Sequence, residues 1–471
     1  MTKTQTLKHR YSKCVQDEKQ PFNVLELDAT GWSDVKLRDW MIETAETPFD
    51  LTQGPVIRIY LIWRDMSRPD EDEEKIEQYL HLTVHHIAVD LWSLVVMMDE
   101  LSILYTAAKG KSRFKRKKSM LAALPNSPRY VKYAVSQDRL VKSSGFQEQT
   151  EKYWHQLFAD SVPVLSIPTD FPRPPRRSFE GAANSFRIPN DVTLKLEQYC
   201  RSNRCTMFTV LMSAYQILLA RQSGQDDLVV GTPFACRHGM PGISGSELEQ
   251  TVGYFVNALP VRGDLTGMPT FGEVVRRARK QLNSTLEHQQ MPLPRLVELL
   301  NPPRDPSRAP LFDAMFVLQR SQLKSKGDLS PFFMGVQDAP LVLSEGLEMR
   351  SIALPLKHAQ FDLTLQVAGQ APKDGNGLYA DLRYCTALFT RERIELMSQH
   401  FVSILRNAVS VNTKQTIWEM PLLSEIERSR LLSFGQGREM KIPEDCCVHE
   451  MVRIFFTVTR VHTSHISSTR T

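Results

Sequence analysis

A chain of 471 residues, 42% hydrophobic and 24% charged, has the composition of an ordinary globular protein and room for two or three compact units with real cores. It holds no run of eighteen apolar residues, so no membrane span is expected. Met1 to Gln20 is basic and polar rather than signal-like, which points to the cytoplasm, and the formal charge of +5 is too small to indicate a polyanion partner by itself.

In chain order, Ile57 to Trp63 and Tyr79 to Val84 read as strands of a hairpin. The acidic stretch Asp70 to Glu74 between them is expected to be a solvated turn. Leu94, Met97, Met98, Leu101 and Leu104 then repeat at helical spacing, with Asp90 or Ser93 placed to cap the first turn. The basic run Lys109 to Lys118 follows that helix. It lacks an aromatic ladder or a recognition motif, so it reads as a solvated loop rather than a nucleic-acid patch, with an acidic carrier surface as a minor partner. Pro168 to Arg177 breaks any regular element and is taken as an interdomain linker. Beyond it, Phe208, Leu211, Met212, Tyr215, Leu218 and Leu219 form a helical stripe, and Leu228 to Gly231 reads as a buried strand. Both are core elements by default.

The most informative run is His81 to Ser93, where a strand passes into a helix through His85, His86 and Asp90. A histidine in such a turn is fixed by backbone, which suits general-base or hydrogen-bond catalysis on an amine or hydroxyl. Asp90, four residues on, reads as an orienting or buried ion-pair residue. The spacing of His81 and His85 invites a zinc reading, but position 82 is Leu rather than Glu. On a strand, residues four apart lie about 13 Å from each other. The plain alternative is that these histidines are satisfied polar groups at a strand end. The seven cysteines, at 14, 200, 205, 236, 385, 446 and 447, are odd in number and scattered, and they read as reduced structural thiols.

From this point the chain resembles the condensation domains of nonribosomal peptide synthetases. Their central motif, His-His-x-x-x-Asp-Gly-x-Ser, is matched by His85 to Ser93 with Leu91 in place of Gly. Tyr130 to Gln137, Val252 to Arg262, His288 to Pro292, Arg304 to Leu311 and Gln360 to Leu365 follow in the family's order.

The resemblance implies an α/β fold of two chloramphenicol-acetyltransferase-like α+β sandwich lobes forming a V, with the active site in an interface tunnel. It divides the chain into an N-terminal lobe at 1–175, a C-terminal lobe at 176–430, and a linker remnant with a disordered tail at 431–471. It implies amide formation between a donor acyl or peptidyl thioester and an aminoacyl acceptor. Each is tethered by phosphopantetheine to a donor or acceptor carrier domain, and an adenylation domain lies downstream. The domain itself is expected to bind no cofactor, metal, membrane or nucleic acid. The implied catalytic residues are His86, supported by His85 and Asp90, with Leu91, Trp92, Ser93, Gly253 and Asn257 along the substrate tunnel. Gly253 reads equally as a strand bend and Asn257 as a backbone cap, while Tyr130 and Tyr133 read as packing residues.

The demand on His86 is modest. An α-amine of pKa ~8 is about one-tenth neutral at pH 7, so selecting that form costs only ~1.4 kcal/mol. Holding amine and thioester at attack distance can supply ~7–11 kcal/mol. His86 either takes the proton or holds the amine, and the sequence leaves both roles open.

Three departures from the family pattern stand out. Leu91 either fixes different backbone angles or narrows the acyl path, as for a polyketide or fatty donor. The family's first two motifs have no match, and with them goes the arginine expected to pair with Asp90. Asp90 must then find another cation, protonate, or disrupt the loop, since an unpaired buried ion costs ~3–5 kcal/mol. Finally, the C-terminus resembles the entry to an adenylation domain that does not follow. Two other readings therefore stand: a coenzyme A-dependent acyltransferase of the wider superfamily, and an inactive fragment.

Overall fold

The computed structural model describes residues 24–67, 75–109, 124, 127–320, 322–323, 327–336, 341–344, 347–368, 375, 377–410, 414–437, 447–450 and 452–453. The acidic loop 70–74, all of the basic run after Lys109, Met1 to Gln20, Cys14 and Cys446 lie outside them. Residues 1–422 form one compact unit and 423–471 a second.

The first unit opens with β1 (Val24–Asp28), α1 (Asp34–Glu46), β2 (Ile57–Asp65) and β3 (Ile76–Val84). β1 pairs parallel to β2, and β2 antiparallel to β3 in the register Tyr60–His81 and Ile57–Val84. The expected hairpin is thus present and longer than its sequence pattern. Alternation decides which face is covered: Ile62 and Leu27 point toward Leu37 and Met41 of α1 and are buried with them. Ser33 caps α1 by accepting from the Lys36 N–H.

After the histidine turn comes α2 (Leu91–Lys109), then α3 (Tyr130–Val141) and α4 (Ser144–Leu157). By length and composition alone α2 passes the test for a membrane span. It carries Asp99 and Glu100 at mid-length, and Val95 and Met98 are buried within the fold against Leu329, Leu341 and Leu343. The Ser102 hydroxyl donates to the Leu343 carbonyl.

Pro168 to Arg177 contains no regular element. It is nonetheless fastened to segments far along the chain: the Asp170 N–H donates to the Leu388 carbonyl at 2.9 Å and Arg173 pairs with Asp362. The chain then runs through β4 (Gly181–Ile188), α5 (Asn190–Ser202), α6 (Met207–Ser223), β5 (Asp227–Phe234), α7 (Gly245–Glu249), β6 (Asn257–Asp264), α8 (Phe271–Glu287), α9 (Leu293–Leu300) and β7 (Ala314–Gln319). Two short strands come next, β8 (Gln322–Leu323) and β9 (Gly327–Asp328), then α10 (Ser330–Phe333), β10 (Leu341–Ser344), β11 (Leu347–Met349), β12 (Leu363–Ala368), β13 (Leu378–Cys385) and α11 (Arg391–Ala408).

Six of these strands form one mixed sheet in the order β4-β13-β12-β7-β5-β6. β7 pairs parallel with β12 and β5, and the outer pairings are antiparallel. The three-stranded sheet β1-β2-β3 and this six-stranded sheet, with helices packed on them and two further two-stranded sheets, make the α/β architecture expected from the sequence. α6 is buried all round from Thr209 to Ala220, not along one stripe. Its polar positions need partners there, and the Ser213 hydroxyl donates to the Thr209 carbonyl at 2.8 Å.

In the second unit, Ser424 caps α12 (Glu425–Gly435) by accepting from the Glu427 N–H at 3.2 Å. The helix continues through 431–435, five residues into the stretch assigned to tail on sequence grounds. Glu425 and Glu427 in its first turn favour its start.

Candidate active site

The turn between β3 and α2 presents two unlike ends. His85 is tied down: its N–H donates to the Val56 carbonyl at 2.9 Å, and its Nδ1 accepts the Ile87 N–H at 3.1 Å. A neutral His85 ring therefore carries its hydrogen on Nε2. His86 is exposed. Its ring packs edge-to-face on Tyr254, with centroids 5.3 Å apart and planes at 84°. His81, on the covered face of the strand, is 8% exposed and packs near Trp40. Burial, with Arg58 nearby, pulls its pKa below the usual imidazole range. Among the described residues no His, Cys, Asp and Glu cluster could hold a metal.

Four residues after His86, Asp90 is 2% exposed and caps α2, its Oδ1 accepting the Ser93 N–H at 2.8 Å. Its cation is Arg237, just past the end of β5. Nη2 of Arg237 donates to Asp90 Oδ1 at 2.9 Å and Oδ2 at 3.1 Å. Nη1 donates to the carbonyls of Leu248 and Thr251, and the guanidinium lies 3.9 Å from the Phe255 ring centroid. Burial lowers the Arg237 pKa from its ordinary value, with Asp90 opposing. Of the three outcomes open to Asp90, finding another cation is the one realised. The partner comes from the segment that follows β5, not from a motif ahead of the turn.

A strap from Arg237 to Asn257 completes the seam. Ser93 Oγ lies 2.7 Å from both Asp90 Oδ1 and the Gly253 carbonyl, and it accepts the Gly253 N–H at 3.0 Å. Asp90 Oδ2 also accepts the Phe255 N–H at 3.3 Å. Trp92 Nε1 donates to the Glu249 carbonyl at 2.7 Å. Gly253 is required by close approach rather than by φ: an added Cβ would meet the Tyr130 ring at 2.1 Å. Tyr130 donates its hydroxyl to the Tyr254 carbonyl at 2.6 Å, and Tyr133, 2% exposed, packs on Phe255. Asn257 ties backbone: Nδ2 donates to the Gln289 and Met291 carbonyls, and Oδ1 accepts the Leu293 N–H. Leu91 opens α2 without positive φ, so no glycine-like backbone is needed there.

The motifs at His85 to Ser93, Tyr130 to Gln137, Val252 to Arg262 and His288 to Pro292 are thus linked along one seam, whereas Asp362 of the last motif pairs with Arg173. Arg237 and Tyr254 are the residues that sequence reasoning missed. The available signal for Arg237 was a cation three residues past the mostly apolar strand β5, in a chain whose Asp90 needs a counter-charge. Cys236, buried beside Arg237, has its thiol pushed up to about 12 by burial and serves as packing, not as a nucleophile. Of the described cysteines, none is in a disulfide.

The turn thus carries an exposed imidazole at His86 and is braced by the buried Asp90–Arg237 ion pair. Comparison with known proteins goes further. Residues 3–432 match the condensation-domain family, and the chain belongs to it. A linear gramicidin synthase of Brevibacillus parabrevis is 36% identical over 87% of the chain. Surfactin synthase subunit 1 of Bacillus subtilis is 33% identical over 88%, and malpinin synthetase of Mortierella alpina 32% over 91%. The chain spans only 7%, 10% and 5% of those three proteins. In fold it is similar to a holo four-domain nonribosomal peptide synthetase bound to AMP and glycine (TM-score 0.70, 23% identity, 86% of this chain and 28% of that one). It is also similar to the first condensation domain of the calcium-dependent antibiotic synthetase (TM-score 0.61, 17% identity, 85% and 78%).

Proposed function

We propose that this chain joins a carrier-tethered acyl or peptidyl thioester to the amine of a carrier-tethered aminoacyl group. The acceptor nitrogen bonds to the thioester carbon, the carbon–sulfur bond breaks, and the donor pantetheine leaves as thiol. His86 takes the proton released by the amine, which then returns to the leaving sulfur through His86 or water. The carriers bring the phosphopantetheine, and the domain adds no cofactor of its own.

The observation that carries this reading is the exposed His86 imidazole on a turn locked by the buried Asp90–Arg237 pair. His85 holds the turn through its Nδ1 and its backbone N–H. Leu91 and Trp92 line the donor path at the mouth of α2, while Ser93, Gly253 and Asn257 hold its wall in place. The lobes at 1–175 and 176–430 then meet along a tunnel, and the parent synthetase works in the cytoplasm with an adenylation domain downstream.

The test is donor choice. An octanoyl, acetyl or phenylalanyl group is offered either on a carrier domain or on coenzyme A, with glycyl- or phenylalanyl-loaded acceptor carrier, and the acceptor is weighed by mass spectrometry. Product only from the carrier-bound donor supports condensation. Equal product from coenzyme A assigns the chain to the free-thioester acyltransferases, and no product from any donor marks it as an inactive fragment.

A further inference from the structure

We infer that Tyr254 is the positioning residue for His86, an assignment that rests on the reading of His86 as the reacting base. Histidines that act on substrates are normally held by a hydrogen bond on the second ring nitrogen, which fixes ring angle and tautomer. Among the described residues His86 has no such bond. What restrains its imidazole is the edge-to-face contact with the Tyr254 ring at 5.3 Å and 84°, within the range preferred by aromatic pairs.

Tyr254 is itself held from both sides. Its carbonyl accepts the Tyr130 hydroxyl at 2.6 Å, the preceding Gly253 is bonded through N–H and carbonyl to Ser93 Oγ, and the following Phe255 N–H donates to Asp90. The same ion pair that anchors the turn therefore anchors the ring packed against the histidine. Burial, with Asp90 nearby, raises the phenol's pKa, so the side chain is neutral at working pH and acts through its ring. At 38% exposed, Tyr254 is no core residue whose loss would unfold the chain.

The experiment compares Tyr254→Leu, Tyr254→Phe, His86→Ala and the Tyr254→Leu/His86→Ala double variant. Each is assayed with octanoyl- or phenylalanyl-loaded donor carrier and glycyl-loaded acceptor carrier, and melts are recorded in parallel. Since a misplacement of about 1 Å can cost ~10²-fold, Tyr254→Leu is expected to lower kcat by roughly ten- to a hundredfold with KM for the acceptor carrier within about twofold. Tyr254→Phe is expected to stay within about twofold of wild type, and adding Tyr254→Leu to His86→Ala to change nothing further.

A substrate-free arm follows the His86 Cε1–H order parameter in chain labelled with ¹³Cε1-histidine. It is expected to fall in Tyr254→Leu and hold in Tyr254→Phe. Wild-type kcat in Tyr254→Leu, an unchanged order parameter, or an equal loss with and without His86 would each overturn the assignment. A loss in Tyr254→Phe matching that in Tyr254→Leu would overturn it too, by moving the effect to the hydroxyl. Wild-type turnover in His86→Ala sinks the reading of His86 itself, whereas an inactive His86→Ala beside a normal Tyr254→Leu sinks the positioning role alone.

Discussion

The two stretches that meet at the site are built in opposite ways. The turn ends at an exposed imidazole with one ring against it, while the strap from Arg237 to Asn257 is threaded with buried hydrogen bonds and a buried ion pair. The first leaves the His86 ring open to solvent, as the proposed proton transfer requires, and the second has the bonding that keeps the turn in register. Activity should therefore be sensitive to both stretches, and stability to the strap and the groups bonded to it rather than to the exposed imidazole.

The sharpest way to break that contrast is Asp90→Ala, which strands the Arg237 guanidinium, 3% exposed in its side chain, without its counter-charge. A loss of ~3–5 kcal/mol in denaturant melts is expected, with activity lost alongside; a loss below about 1 kcal/mol would mean that the pair does not lock the seam. Gly253→Ala comes next. Its Cβ would enter the Tyr130 ring, and the backbone cannot retreat while both its polar groups are bonded to Ser93. The overpacking should cost ~1–3 kcal/mol and be partly relieved by Tyr130→Ala in the same chain.

Trp92→Phe removes the donor to the Glu249 carbonyl while leaving an aromatic ring beside Arg237, for ~1 kcal/mol by the same melts. The smallest effect concerns pH. His81 has a folded pKa below its unfolded value because burial, and then Arg58, disfavour its charged form. The stability that depends on a neutral His81 is present above the unfolded pKa of ~6.5 and is lost as pH falls through the folded value. The Tm of wild type should therefore drop further between pH 7.5 and 5 than that of His81→Gln; parallel curves would remove His81 as the cause.

Much of this was legible in the sequence, for local reasons. Alternation over Tyr79–Val84 and the helical stripe after Ser93 place the histidine turn, and Asp90 is readable as a cap because Ser93 lies three residues on. What was not legible depends on contacts far apart in the chain. Arg237 is 147 positions from Asp90, and no periodicity connects them. Tyr254 sits in a recognisable motif, yet its bearing on His86 exists only once the strap has crossed to α2. The all-round burial of α6 was hidden for another reason: Ser213 and Gln216 look like a solvated face but are 0% and 1% exposed, because helices and the six-stranded sheet close over both sides.

The central claim is that the turn supplies chemistry and the strap supplies order, and His86→Ala tests it most directly when turnover and melting are measured on the same preparation. Product on the acceptor carrier should fall by ~10²–10⁴-fold, with stability within about 0.5 kcal/mol of wild type. Undiminished product, or a melt that falls with the activity, would contradict the account.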